Sequence, residues 1–153
     1  MRPFAQTRLP LWAVDEWRQA TRLVAAIPVG RWQRQNGSWC ISRAPDALEL
    51  RCHEVARIVA MVLGLKSHDV VDGHYGIAEH SWIEHRSDDQ RIILDCYAIA
   101  RLPMVQLVDL PDHLPDDRSY RRGALRSDIR CDQIDTIISD LRQHRWWVNP
   151  VAG

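Results

Sequence analysis

Apolar residues recur at helical spacing in three stretches of this chain. Val14, Trp17, Leu23, Val24 and Ile27 predict a helix from about Val14 to Ala26, stopped by Pro28. Cys52, Val55, Ala56, Val59, Val62 and Leu63 form one stripe of a central helix, with Gly64 placed to cap its C-terminus. Ile129, Ile134, Ile137, Ile138 and Leu141 predict a last helix from about Asp128 to His144, with Ser127 as its N-cap. Strand patterns fill the space between the second and third helices. They cover His68 to Asp72, Glu79 to His85 and Arg91 to Tyr97, with a short strand at Val105 to Val108. Gly73 and Gly76 flank a turn around His74 and Tyr75, and Asn36-Gly37 marks a turn further upstream. Pro103, Pro111 and Pro115 punctuate a long loop, and Trp146 and Trp147 dock the tail.

The start of the central helix has two readings. Asp46 with Glu49 forms a capping box that would bury Cys52 in the second turn. Alternatively, Ala47 to Leu50 is extended and the helix begins near Cys52. The second arrangement suits chemistry, because a helix N-terminus favours a thiolate.

At 153 residues the chain is read as one domain, residues 1–153, of α+β class. The formal net charge is zero, which argues against a nucleic-acid partner. Arg118, Arg121, Arg122 and Arg126 alternate with Asp112, Asp116, Asp117 and Asp128, so they read as a solvated mixed-charge segment. No apolar run approaches the roughly 20 residues of a membrane helix, and the N-terminus lacks a secretory pattern. A cytoplasmic location is expected. Cys40, Cys52, Cys96 and Cys131 form no Cys-x-x-Cys pair, so reduced thiols are expected.

Three residues carry the candidate chemistry. Cys52 opens or sits within the central helix, His80 lies on the second strand and Asp95 near the end of the third. A thiol is a weak nucleophile until it ionises, and an imidazole can take its proton. A carboxylate then fixes the imidazole tautomer. A four-residue hairpin loop, Arg86 to Asp89, would pair His85 with Gln90 and His80 with Asp95. Directly opposed side chains share a face about 4.5–5.5 Å apart at Cβ. His80, Trp82 and Glu84 share that face, which must then look toward Cys52. Trp82 reads as packing beside the site and Glu84 as a surface or salt-bridge residue.

The ordered set of Cys52 on an apolar helix, His80-x-Trp82-x-Glu84 and a hydrophobic strand ending in Asp95 resembles the transglutaminase-like superfamily of cysteine enzymes. The likeness runs from about Leu50 to Tyr97 and includes Gly64-Leu65 and Val70-Val71. It implies a papain-related core, in which the nucleophile-bearing helix packs on a small antiparallel sheet flanked by N- and C-terminal helices. It also implies Cys52 as nucleophile, His80 as base and Asp95 as orienting acid. The activity implied is hydrolysis or acyl transfer at a peptide or amide bond through a thioester, on a peptide or protein substrate and without a cofactor. The segment before Cys52, Leu48-Glu49-Leu50-Arg51, is bulkier and more charged than the family's usual approach to its nucleophile.

The oxyanion of such a reaction needs hydrogen-bond donors. The Cys52 backbone N–H is one. Trp39, Gln33, Gln35 and Asn36 are unranked candidates for the second, and Trp39, Gln35, Asn36 and Trp82 are candidates to line the pocket.

A metal site is disfavoured. His80 and His85 point to opposite faces of a regular strand, and His53-Glu54 lacks a second histidine four residues on. His53 points about 100° away from Cys52 on a helix, making it a poor base. A second reading keeps the fold without turnover. The chain would then be a binding module contacting partners through Trp146-Trp147 and the Pro103 to Pro115 loop.

Overall fold

The computed structural model describes residues 9–27, 31–35, 38–43, 48–66, 69–87, 90–96, 106–111 and 120–143. Side chains are described for all of these except residues 31–49 and 106–111. Trp146 and Trp147 lie outside this set, as do Pro103 and Pro115.

Helix α1 spans Leu11–Ala26. It begins three residues before the predicted start because Pro10, extended at φ −65°, serves as its N-cap and its carbonyl accepts from Ala13 N–H at 3.0 Å. Proline suits a helix start, where its missing N–H leaves no gap in the ladder. Strands β1 (Arg31–Gln35) and β2 (Ser38–Arg43) pair across Asn36-Gly37, with Gln35 opposite Ser38. β3 (Leu48–Leu50) pairs with β2 and completes a three-stranded sheet.

Helix α2 runs from Cys52 to Val62, with extended Arg51 as N-cap. The extended approach to Cys52 is therefore the arrangement adopted, and Cys52 is the first helical residue. Gly64 at φ 71° ends the helix. Leu65 N–H reaches Ala60 O at 2.8 Å and Gly64 N–H reaches Met61 O at 3.2 Å. This crossed pair is the closure a left-handed residue permits.

The second sheet has the order β7-β6-β5-β4-β8, built from β4 (Val70–Tyr75), β5 (Ala78–Arg86), β6 (Gln90–Asp95), β7 (Gln106–Pro111) and β8 (Tyr120–Arg122). All of its pairings are antiparallel. Helix α3, Cys131–Gln143, closes the described chain. Among the described residues, three helices and antiparallel sheets make an α+β architecture.

Several boundaries differ from the sequence reading for physical reasons. β4 continues through Gly73 to Tyr75, and the turn falls at Gly76-Ile77, where Gly76 adopts φ 59°. Gly73 stays in the strand to let β8 approach. A Cβ there would stand 2.0 Å from the Arg121 carbonyl oxygen. β8 itself carries no hydrophobic alternation and was not foreseen. α3 starts three residues later than expected because Asp128 is held by Arg51 and Arg126 instead of entering the helix.

The β5–β6 register is also corrected. Ser87 N–H donates to Gln90 O at 2.9 Å, so the loop holds two residues, not four. Ile83 then opposes Leu94, and His85 opposes Ile92. The slip is two residues, which leaves every side chain on its expected face. Continuing the ladder one step sets Asp95 opposite Trp82 and diagonal to His80.

Alternation along the central strands divides the interior in two. Val70, Ile83 and Leu94 join α1, α2 and α3 residues, including Leu23, Val55, Ile58, Val59 and Ile137, in the main core. Val71, Trp82, Ile93 and Tyr120 form a second cluster. Burying a Leu or Ile side chain contributes about 1.5–3 kcal/mol, so these two clusters fix which way each strand faces. A Glu16–His85 hydrogen bond of 2.7 Å ties α1 to β5.

Candidate functional site

Cys52, His80 and Asp95 come together at the start of α2. Each owes its place to a local rule. Cys52 is the first residue of α2, where the N–H groups lie outside the helical ladder and favour negative charge. His80 and Asp95 lie on one face of neighbouring strands, within diagonal reach of each other. His80 Nε2–H donates to both Asp95 oxygens, at 2.9 Å each. Tyr120 Oη donates to Asp95 Oδ2 at 2.8 Å. The carboxylate is thus held from two sides, and the imidazole is oriented through Nε2. Nδ1 is the ring nitrogen left for the thiol.

His80 is 1% exposed. Burial alone would lower its pKa, but hydrogen bonding to Asp95 and to the Cys52 thiol, with the charges of both, outweighs burial and raises it to about 10. An imidazolium beside sulfur favours the thiolate. Trp82 is fully buried with its ring 6.1 Å from His80 and tilted by 29°, so it backs the imidazole. Tyr75 meets His80 edge-on at 6.2 Å.

Trp82 and Glu84 share the face of His80, as expected, but look away from α2. Trp82 packs into the second cluster. Glu84 is buried and paired with Arg91, at 2.5 Å, and with Arg122, at 3.1 Å. It is Ser81 and Ile83 that face the helix.

Three partners were not found from sequence. Tyr120 sits on β8, a strand without a hydrophobic signature. In the sequence Ser81 is only the spacer within His80-x-Trp82. His53 was expected to point away from the thiol, and this is corrected. Its ring lies beside Cys52 Sγ, with Nδ1 at 3.6 Å and Nε2 at 3.9 Å. Neighbouring residues on a helix do diverge by about 100°, yet a ring pulled across by a buried acceptor can still touch the side chain before it. That acceptor is Ser81 Oγ, 2.6 Å from His53 Nδ1. Burial, then the positive charges of Arg126 and Arg51, lower the His53 pKa to about 4.

The strap 123–128 leads from β8 past this region. Gly123 N–H donates to Asp72 O at 2.8 Å and Arg126 N–H to Asp72 Oδ2 at 2.9 Å. Arg126 bridges Glu79 and Asp128, and Asp128 is bound by Arg51, the residue before the thiol. Between this strap and the Asp72–His74 end of β4 lies a cavity of about 400 Å³.

Of the candidate pocket residues, Asn36 and the side chains of Gln33, Gln35 and Trp39 lie outside the described residues. Cys52 and Cys96 are buried free thiols and Cys131 is an exposed one. Burial pushes the Cys96 thiol well above its ordinary value. Among the described residues no group of three or more His, Cys, Asp or Glu side chains is placed to hold a metal ion. No described helix is long and apolar enough to cross a membrane. No family model, curated protein or solved structure matches the chain.

Proposed function

We propose that this chain is a cysteine hydrolase or acyl transferase with a papain-related, transglutaminase-like core, acting on a peptide or amide bond. The observation that carries this reading is the buried His80, bound through Nε2 by Asp95 and interacting with a thiol at the first residue of a helix. In this arrangement the Cys52 proton rests on His80. The thiolate attacks the substrate carbonyl, forming a C–S bond and a tetrahedral oxyanion. The Cys52 N–H, free of the helical ladder, is one donor to that oxyanion. Collapse breaks the C–N bond, and the His80 imidazolium gives its proton to the departing amine. Neutral His80 then takes a proton from water or from an acceptor amine as that nucleophile attacks the thioester, and the thiolate leaves. Asp95, braced by Tyr120, keeps Nε2–H occupied throughout, so Nδ1 performs each transfer.

Thiol labelling tests this reading because the chain carries its own controls. Cys131 is exposed, and Cys96 is buried with its thiol pushed well above the ordinary value by that burial. Near neutral pH, iodoacetamide should modify Cys52 faster than Cys131 in spite of its burial, because an ordinary thiol is only a few per cent ionised there. His80→Ala should remove that advantage, and Cys52→Ala should abolish turnover while leaving the fold intact. Native protein in which Cys52 stays unlabelled would sink the proposal.

A further inference from the structure

Ser81 carries a single hydroxyl hydrogen, and its two neighbours decide where that hydrogen goes. Asp72 is 2% exposed and lies with Oδ1 2.5 Å from Ser81 Oγ. Arg57 grips the same carboxylate with two hydrogen bonds, Nη1 to Oδ1 at 3.0 Å and Nη2 to Oδ2 at 2.7 Å. Burial would raise the Asp72 pKa, but Arg57, the Arg126 N–H and Ser81 outweigh it and bring it to about 2. The carboxylate therefore only accepts, and Ser81 donates to it. Ser81 Oγ is left as an acceptor, so the hydrogen between it and His53 belongs to His53 Nδ1. The chain of contacts fixes the His53 tautomer, with Nδ1–H directed at Ser81 and Nε2 bare. The sulfur of Cys52 lies against that same ring.

Ser81 and His80 are consecutive on β5 and point to opposite faces of the strand. The thiol thus meets two imidazoles, each tied to a buried carboxylate, one directly and one through a hydroxyl. We propose that His53 is a positioning residue for Cys52, locked by Ser81, Asp72 and Arg57 so that its ring sets the direction of the thiol. This rests on Cys52 being the nucleophile. The roles divide by charge. His80 is the group that carries the proton, whereas His53 stays uncharged between Arg126 and Arg51 and places the sulfur without adding a second cation beside His80.

The test is the pH profile of Cys52 labelling by iodoacetamide in the full chain, with Cys131 labelling as the internal control. His53→Leu should lower the plateau rate by ~10–100-fold, the cost of misplacing a reacting atom by about 1 Å. Its midpoint should not move, because the group removed is uncharged. His53→Asn puts an amide N–H where Nδ1–H was and should bring the rate back to within about threefold of the parent. Ser81→Ala removes one oxygen and should lower the plateau in the same direction; it decides the matter if His53→Leu does not fold. A parent rate in Ser81→Ala or in folded His53→Leu overturns the proposal. So does a shifted midpoint in folded His53→Leu, which would make His53 an acid–base group. Failure of the parent protein to label at Cys52 would instead refute the nucleophile itself, a separate outcome.

Discussion

Replacing Asp95 with asparagine removes one negative charge and little else. An amide oxygen can still accept from His80 Nε2–H, and Tyr120 Oη can turn from donor to acceptor. The magnitude follows from the His80 imidazole, which Asp95 and Cys52 together hold at about 10 against an ordinary 6.5. At 1.36 kcal/mol per pH unit, that difference is about 5 kcal/mol of preference for the charged ring in the folded protein. A folded-state pKa above the unfolded one contributes stability that is complete below pH 6.5 and is lost as pH climbs through about 10. With the Cys52 proton resting on His80 as proposed, the native pair and the unfolded chain hold equal numbers of protons until the unfolded thiol ionises at about pH 8.5; from there to about 10 the native protein holds one more, and its stability falls by about 1.4 kcal/mol per pH unit.

Asp95→Asn withdraws the largest of the influences that raise the ring. Urea denaturation at pH 7.5, 8.5 and 9.5 should find the variant less stable at the lowest pH, with a much shallower decline above pH 8.5. The buried Cys96 thiol also erodes stability at high pH, chiefly through its burial, which both proteins share, and secondarily through the Asp95 charge, which the variant lacks. Parallel stability curves for the two proteins would refute the electrostatic account of His80, and with it the reading of Asp95 as its orienting acid.

Two further substitutions probe the frame that holds the site. Gly73→Ala should destabilise the protein by ~1–3 kcal/mol in the same assay, because the new methyl would meet the Arg121 carbonyl at 2.0 Å and push β8 from its partner. An unchanged midpoint would mean that β8 does not depend on that close approach. Tyr120→Phe should cost ~1.5–3 kcal/mol, the usual value of a hydrogen bond to a charged group, and should slow Cys52 labelling by loosening Asp95; labelling and stability at parent values would place Tyr120 outside the site.

Much of the candidate site is legible in the sequence. Cys52, His80 and Asp95 stand out because helix and strand periodicities are local and each residue falls at a defined point within them. Helix ends were less legible, since the start of α3 depends on Asp128 being drawn off by Arg51, distant in sequence, together with its neighbour Arg126. The β5–β6 register escaped because loop length cannot be read from a polar stretch alone. Its error of two residues cost only the identity of the facing partner. β8 and Tyr120 were invisible for a further reason. A three-residue strand has no period to detect, and it exists through pairing with β4.

By itself, the chain determined the local geometry: a helix capped at Gly64, strands with alternating faces, and a thiol, an imidazole and a carboxylate in that order. Those follow from backbone preference and from where apolar side chains fall within a turn or a pleat. Only the tertiary structure decided which polar groups meet in the interior. The Ser81 hydroxyl turns His53 back onto the sulfur, Arg57 and Asp72 set the direction of that hydroxyl, and Tyr120 braces Asp95. Such contacts join residues far apart in sequence. They form because a buried polar group must find a partner wherever the packing of two cores happens to provide one.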